Sequence, residues 1–292
     1  MEWWVGLTVA GAFLQNLRSL LQRRLTLTLS VNGSSYVRFL YALPFAWLLV
    51  VWLGEINLPL SNLAFWGYVG AGGITQIVAT SALVAAVSNG QFAVGTAMSK
   101  TEAMQAAAFG LILLGDQLSW FALLGIVISL VGVFLLTGGV NPQQFFRRGP
   151  ALWLGLLAGS SFALCSVCFR GASLALGTDE GDALQRAALT LAVNLTFQTL
   201  IMGVYLIARE PQQLERVMRS WRVAIWVGLI GTTSSICWFT AMALVNAALV
   251  RAMGQIELLF TLITSVWFLG ERVRRREVLG MLLLVLGIVL LI

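Results

Sequence analysis

The sequence predicts an all-α polytopic membrane protein, with ten transmembrane helices arranged as two inverted five-helix repeats. Three observations predict it. Of 292 residues, 59% are hydrophobic and only 10% are charged, with a mean hydropathy of +0.89. A soluble domain carries about 25% charged residues. Apolar runs long enough to cross about 30 Å of hydrocarbon recur along the whole chain. Residues 66–137 also overlay residues 221–292 at an offset of 155, without a gap.

The apolar runs fall at 3–21, 33–53, 64–88, 91–114, 119–137, 151–169, 183–207, 222–244, 247–269 and 276–292. Lipid satisfies no backbone hydrogen bonds, so continuous runs of this length are helices. Ser88-Asn89-Gly90-Gln91 is the tightest turn between them. The first run reads as a span, not a cleavable leader, because Met1-Glu2 lacks a basic region and no small-residue cleavage site follows.

Within the repeat, Trp66 falls on Trp221, Ala97-Met98 on Ala252-Met253, and Glu102 on Glu257. Leu114-Gly115-Asp116 meets Leu269-Gly270-Glu271, Gly125 meets Gly280, and Gly132 meets Gly287. The openings of the two halves match at an offset of 149, with Trp4, Gly6 and Phe13 on Trp153, Gly155 and Phe162. Internal similarity of this kind marks a duplicated unit. The expected organisation is a first repeat over 1–137, a connecting loop over 138–150 and a second repeat over 151–292. Five spans is an odd number, so the second copy enters the membrane from the opposite side. Secondary transporters are commonly built this way, with the substrate near the midplane between repeats.

The charges orient the chain. Arg23, Arg24, Arg147, Arg148, Arg209, Arg216, Arg219, Arg222, Arg272, Arg274, Arg275 and Arg276 fall on one side of the spans. The other side holds Arg170 and the acids Glu2, Glu55, Asp116, Asp179, Glu180 and Asp182. Basic loops stay cytoplasmic, so both termini are expected on the non-cytoplasmic face. The net charge of +6 suits anionic lipid head groups and not nucleic acid. With no His in the chain, imidazole metal sites and His-based triads are excluded. Cys165 and Cys168 lie in an apolar run and read as packing residues. No nucleophile–base pair is present, so no enzyme activity, metal or cofactor is expected.

An ionised side chain at the bilayer centre costs about 2.5–3.5 kcal/mol on insertion scales, so such residues face the protein interior or a wet cavity. Four stand deepest: Lys100, Glu102, Arg251 and Glu257. Glu102 and Glu257 share a small-residue face with Ser99 and Ala106, and with Gly254 and Thr261, respectively. Two like carboxylates meeting in low dielectric need a proton or a cation between them. Lys100 and Arg251 point away from the glutamates on their own helices, so pairing across to the opposite half is the economical arrangement. One reading makes the glutamates ligands for a substrate amino group or a coupling proton, and the cations ligands for a carboxylate or phosphate. The other makes them buried pairs that lock the repeats and touch no substrate. Gln15, Gln76, Trp238 and Gln255 complete the candidate site as polar and aromatic lining. Asp116 and Glu271 are expected to cap the closing helices. Arg38 lies a turn inside its span. Arg272 and Arg274–Arg276 are expected to anchor the chain at the membrane surface.

These residues resemble the ten-helix EamA-like transporters of the drug/metabolite transporter superfamily. Each half of that family ends in Glu-Pro, a Leu-Gly-Glu about a dozen residues later, and a closing helix with two glycines. Glu102-Ala103 through Leu114-Gly115-Asp116, Gly125 and Gly132 follow the pattern, as do Glu257-Leu258 through Leu269-Gly270-Glu271, Gly280 and Gly287. Arg38, and more weakly Arg186, resemble the family's arginine near the second helix of each half. Ala103 and Leu258 replace the prolines, so the helix break expected there is weaker. The resemblance implies a secondary active exporter of a small polar or zwitterionic metabolite, coupled to protons. Transport of a phosphorylated or lipid-linked anion is the alternative. The expected partners are a small-molecule substrate, the lipid bilayer and a coupling proton, in a monomer or homodimer of the bacterial inner membrane. Most relatives keep their termini in the cytoplasm, opposite to the arginine distribution here.

Overall fold

The structure is a computed structural model that describes residues 3–25, 28–54, 58–88, 98–136, 149–260, 262 and 275–291. Among these residues all regular secondary structure is helical. In chain order the helices are α1 (Trp3–Leu25), α2 (Val31–Leu40), α3 (Leu43–Trp52), α4 (Leu63–Ser88), α5 (Glu102–Leu114), α6 (Trp120–Leu136) and α7 (Gly149–Leu176). They continue with α8 (Ala183–Arg209), α9 (Pro211–Arg219), α10 (Trp221–Leu244), α11 (Ala247–Gly254) and α12 (Arg275–Val289). Four described segments have the length and apolarity to cross a bilayer: Val31–Trp52, Leu152–Leu176, Ala183–Arg209 and Trp221–Leu244. Glu102–Leu114 and Trp120–Leu136 are shorter apolar helices. The expected turn at 88–91, the connecting loop over 138–148 and the residues around Glu271, Arg272 and Arg274 lie outside the described residues.

Two elements differ from the sequence expectation. The stretch after α8 carries a nine-residue helix, α9, which is too short and too polar to be seen as a span. The second expected span is two helices, with Tyr41 and Ala42 forming the joint ahead of Pro44. Proline lacks the N–H that would continue the helical ladder, so the break falls just before it.

The chain packs as two compact units, Met1–Ile74 with Cys168–Leu244, and Thr75–Val167 with Val245–Ile292. Each unit draws on both sequence halves. In the first, α1 lies along α10, where Trp238 packs on Gly11 and Ser234 Oγ donates to Gly11 O at 2.8 Å. Helices α2 and α3 lie against α8, joined by a hydrogen bond from Trp47 Nε1 to Thr196 Oγ1 at 3.0 Å. Ser30 caps α2 and is itself bracketed by the start of α9. Its Oγ donates to Glu210 at 2.6 Å, and its N–H donates to Gln213 Oε1 at 3.0 Å. Asn32 Nδ2 donates to the same carboxylate at 2.6 Å. These two bonds hold the Glu210 carboxyl below the usual carboxylate range.

In the second unit, α6 and α12 run antiparallel and touch backbone to backbone. A Cβ on Gly125 would lie 2.7 Å from Gly287 O, and one on Gly132 would lie 2.7 Å from Gly280 O. Only glycine permits that approach, which replaces side-chain contact with direct main-chain packing between membrane helices. Helix α5 packs on α11, burying Glu102, Ala103, Ala106 and Gly110 on one face. Gly115 ends α5 in the left-handed region, at φ +69°. Asp116 does not cap α6, contrary to expectation. Its N–H closes the end of α5 on Gly110 O, four residues before α6 begins, and Ser119 Oγ accepts from Ala122 N at 3.1 Å as the cap instead.

Candidate functional site

Helical geometry lapses at two places in the second unit, Lys100–Thr101 and Gln255–Ile256, immediately before the two glutamates. The positions correspond at the offset of 155. At each, a tighter bond replaces the α-helical one: Thr101 N–H donates to Met98 O at 3.2 Å and Ile256 N–H to Met253 O at 3.1 Å. The break expected to be weak without proline is therefore present in both halves. At the first break, side chains make it tolerable by occupying the released carbonyls. Gln255 Nε2 donates to Lys100 O at 3.1 Å, and Thr101 Oγ1 donates to Met98 O at 2.6 Å.

The break carries the charged groups together. Lys100 Nζ forms an ion pair with Glu257, a contact between one residue of each sequence half. Glu102 and Arg251 both act electrostatically on Lys100. Arg251 Nε donates to Ser166 Oγ at 2.6 Å, which fixes its guanidinium against α7. Glu102 is buried at 8% exposure. Gln255 is buried at 1%, and its Oε1 has no donor among the described residues. Two anions and two cations thus occupy one low-dielectric cluster, where Coulombic interactions are much stronger than in water.

The remaining candidates are distributed otherwise. Gln76 is buried in the second unit, and its carbonyl accepts from Thr80 Oγ1 at 2.9 Å. Gln15 and Trp238 belong to the first unit; Gln15 is half-buried on α1 and Trp238 is buried against Gly11. Arg186 is buried on α8 and donates to Asp179 O at 2.6 Å, while Arg38 sits over the Phe39 ring at 5.7 Å.

Sequence reasoning missed two participants in this site and one buried arginine of the first unit. Gln105, one turn beyond Glu102, donates to Thr101 Oγ1 at 2.7 Å and accepts from Ser160 Oγ, and so ties the break to α7. Ser166 was hidden because a serine on an apolar helix more often bonds its own backbone, as this one also does to Phe162 O. Arg18 is buried at 6% on α1, beside Gly231. An arginine inside the first apolar run was the available signal for it. A cavity of about 530 Å³ also opens between α5 and α6, lined mainly by Met104, Leu111, Trp120, Leu123 and Val127 with Asp116. None of the candidate residues lines it.

Comparison with known proteins agrees with this architecture. The model of the EamA-like transporter family matches residues 2–138 and again residues 149–292. The chain belongs to the EamA-like transporter family, within the drug/metabolite transporter superfamily. It is therefore a multi-pass membrane protein of a family of transporters. One crystal structure of a protein superposes with a TM-score of 0.71 at 13% identity, over 98% of this chain and 94% of that one, a likeness of fold alone. No curated protein matches it in sequence.

Proposed function

We propose that the protein is a secondary active transporter that exports a small polar or zwitterionic metabolite, amino-acid-like in its charges, by alternating access across the bacterial inner membrane. Its ten spans form two inverted five-helix repeats. The glycine contacts speak for that relation: exchanging Gly125 with Gly280 and Gly132 with Gly287 turns the Gly125–Gly287 contact into Gly132–Gly280. A two-fold relation in the membrane plane has this effect on an antiparallel pair. Six arginines of the basic loops, Arg209, Arg216, Arg219, Arg222, Arg275 and Arg276, are exposed, which supports a cytoplasmic face there and termini on the other side.

The observation that carries the reading is the Lys100–Glu257 ion pair beside buried Glu102, at matching helix breaks. Broken helices within a membrane are tolerated where they line a cavity or bind a solute, and ionised groups there are expensive unless used. Glu102 and Glu257 serve a substrate ammonium or a coupling proton, and Arg251 and Lys100 serve a carboxylate. Gln76, of the same unit, lines the path.

The test is flux of a panel of labelled amino acids in vesicles reconstituted with wild type, Glu102→Gln and Glu257→Gln, each shown to be folded. Flux of at least one amino acid is expected, falling by about tenfold or more in both variants, the scale of one lost charged hydrogen bond. Equal flux in all three proteins would leave the charges with a purely structural role. Flux of a lipid-linked phosphate in place of amino acids would select the anion reading.

A further inference from the structure

At the repeat offset of 155, Glu102 is the mate of Glu257, and Lys100 is the mate of Gln255. The two helix breaks stand in the same register. Exchanging each residue for its mate converts the Lys100–Glu257 ion pair into a Gln255–Glu102 pair. On one side of the relation, then, a lysine ammonium meets the glutamate. On the other, a glutamine stands where the lysine would be.

The acceptors on that second side are both present and both buried. Glu102 is 8% exposed and Gln255 is 1% exposed. The Gln255 amide group is committed to Lys100 O, which fixes its orientation and turns Oε1 away from that carbonyl. Gln255 Oε1 is a buried acceptor that receives no hydrogen bond among the described residues, and Glu102 is the carboxylate beside the same break. Leaving a buried acceptor such as Gln255 Oε1 unsatisfied is costly. Lys100 acts on Glu102 electrostatically and gives its hydrogen bond to Glu257.

We infer that Glu102 and Gln255 Oε1 form a binding site for a primary ammonium group, placed as the mate of the Lys100 ammonium. This rests on the transporter reading and deepens it by separating the two glutamates. Glu257 is held by the protein's own lysine, and Glu102 receives the amine of the solute. A primary ammonium has three N–H donors on a compact charge, enough for the carboxylate and the amide oxygen together. Sodium supplies charge without donors, and tetramethylammonium supplies charge on a shell of methyl groups.

The experiment measures thermal unfolding of the purified full chain in detergent, titrated with ethylammonium chloride, and with sodium or tetramethylammonium chloride at equal ionic strength. A ligand that binds only the folded state raises the midpoint by mass action. Ethylammonium is expected to raise it for wild type, whereas the other two cations leave it unchanged. Gln255→Lys, which supplies the missing lysine internally, and Glu102→Gln should each weaken the ethylammonium response by about tenfold or more in concentration. An undiminished response in both of these variants would overturn the assignment, as would equal protection by sodium or tetramethylammonium. Because the readout is binding, protection without flux would refute the transporter reading and leave this site standing. Flux with no ethylammonium protection would do the reverse.

Discussion

The α6–α12 contact and the α5–α11 contact each join one sequence half to the other inside one compact unit, yet they obey the repeat differently. Along α6–α12 the glycine contacts have their mates: Gly125 on Gly287, Gly132 on Gly280. Beside α5 and α11 the backbone breaks have mates, but the side chains do not, because Lys100 pairs with Glu257 whereas its mate Gln255 bonds Lys100 O. Packing is served by symmetry, since two identical small-residue stripes fit each other in one register. Charge is not, since doubling the ion pair would leave no acceptor for anything else. The difference teaches that the asymmetric seam is where chemistry belongs.

The comparison can be broken most severely at Lys100. Lys100→Met leaves Glu257 buried without its counter-ion and is expected to destabilise the fold by about 3 kcal/mol, the lower end for a broken buried pair because both side chains keep some exposure. Lys100→Met combined with Glu257→Met should recover most of that, as apolar replacements of buried pairs do. Denaturation followed by tryptophan fluorescence measures both, and a neutral single variant would show that the pair is solvated.

A smaller effect is expected on the symmetric seam. Gly287→Ala forces a methyl group to 2.7 Å from Gly125 O, which only a backbone shift relieves, at about 2 kcal/mol. Gly67→Ala meets nothing within 4 Å and should be neutral or slightly stabilising in the same assay. Equal effects of the two would mean that the glycine seam is not close-packed.

The smallest effect calibrates a water-exposed polar cluster against both seams. Glu210 is held below the usual carboxylate range by hydrogen bonds from Ser30 and Asn32. Its lowered value means that its stabilising contribution is full above the ordinary glutamate range and is lost as pH falls through the folded-state value. Glu210→Gln should flatten the acid limb of stability against pH while changing little at neutral pH. An unchanged acid limb would show that the bracket around Ser30 carries no linkage.

Much of this was legible without coordinates. The described helices follow the apolar runs closely, with α8 at 183–209 for an expected 183–207 and α10 at 221–244 for an expected 222–244. Lys100, Glu257 and Gln255 were singled out and are found together. Helix α9 was not legible because its nine residues mix Leu214 and Val217 with Glu215, Arg216 and Arg219, a pattern that lipid-span arithmetic discards. The break before Glu102 is present without its proline because side chains cap its released carbonyls. Gln105 and Ser166 act only through partners on another helix, which no spacing along their own helix reveals.

Residue order alone determined the membrane class, the helical content and the repeat. Each of these follows from how apolar side chains and offsets are distributed along one dimension, and lipid imposes that demand residue by residue. Tertiary structure decided which glutamate pairs with the single lysine. Both glutamates sit in matching stretches of sequence, and only the approach of α11 to α5 distinguishes them.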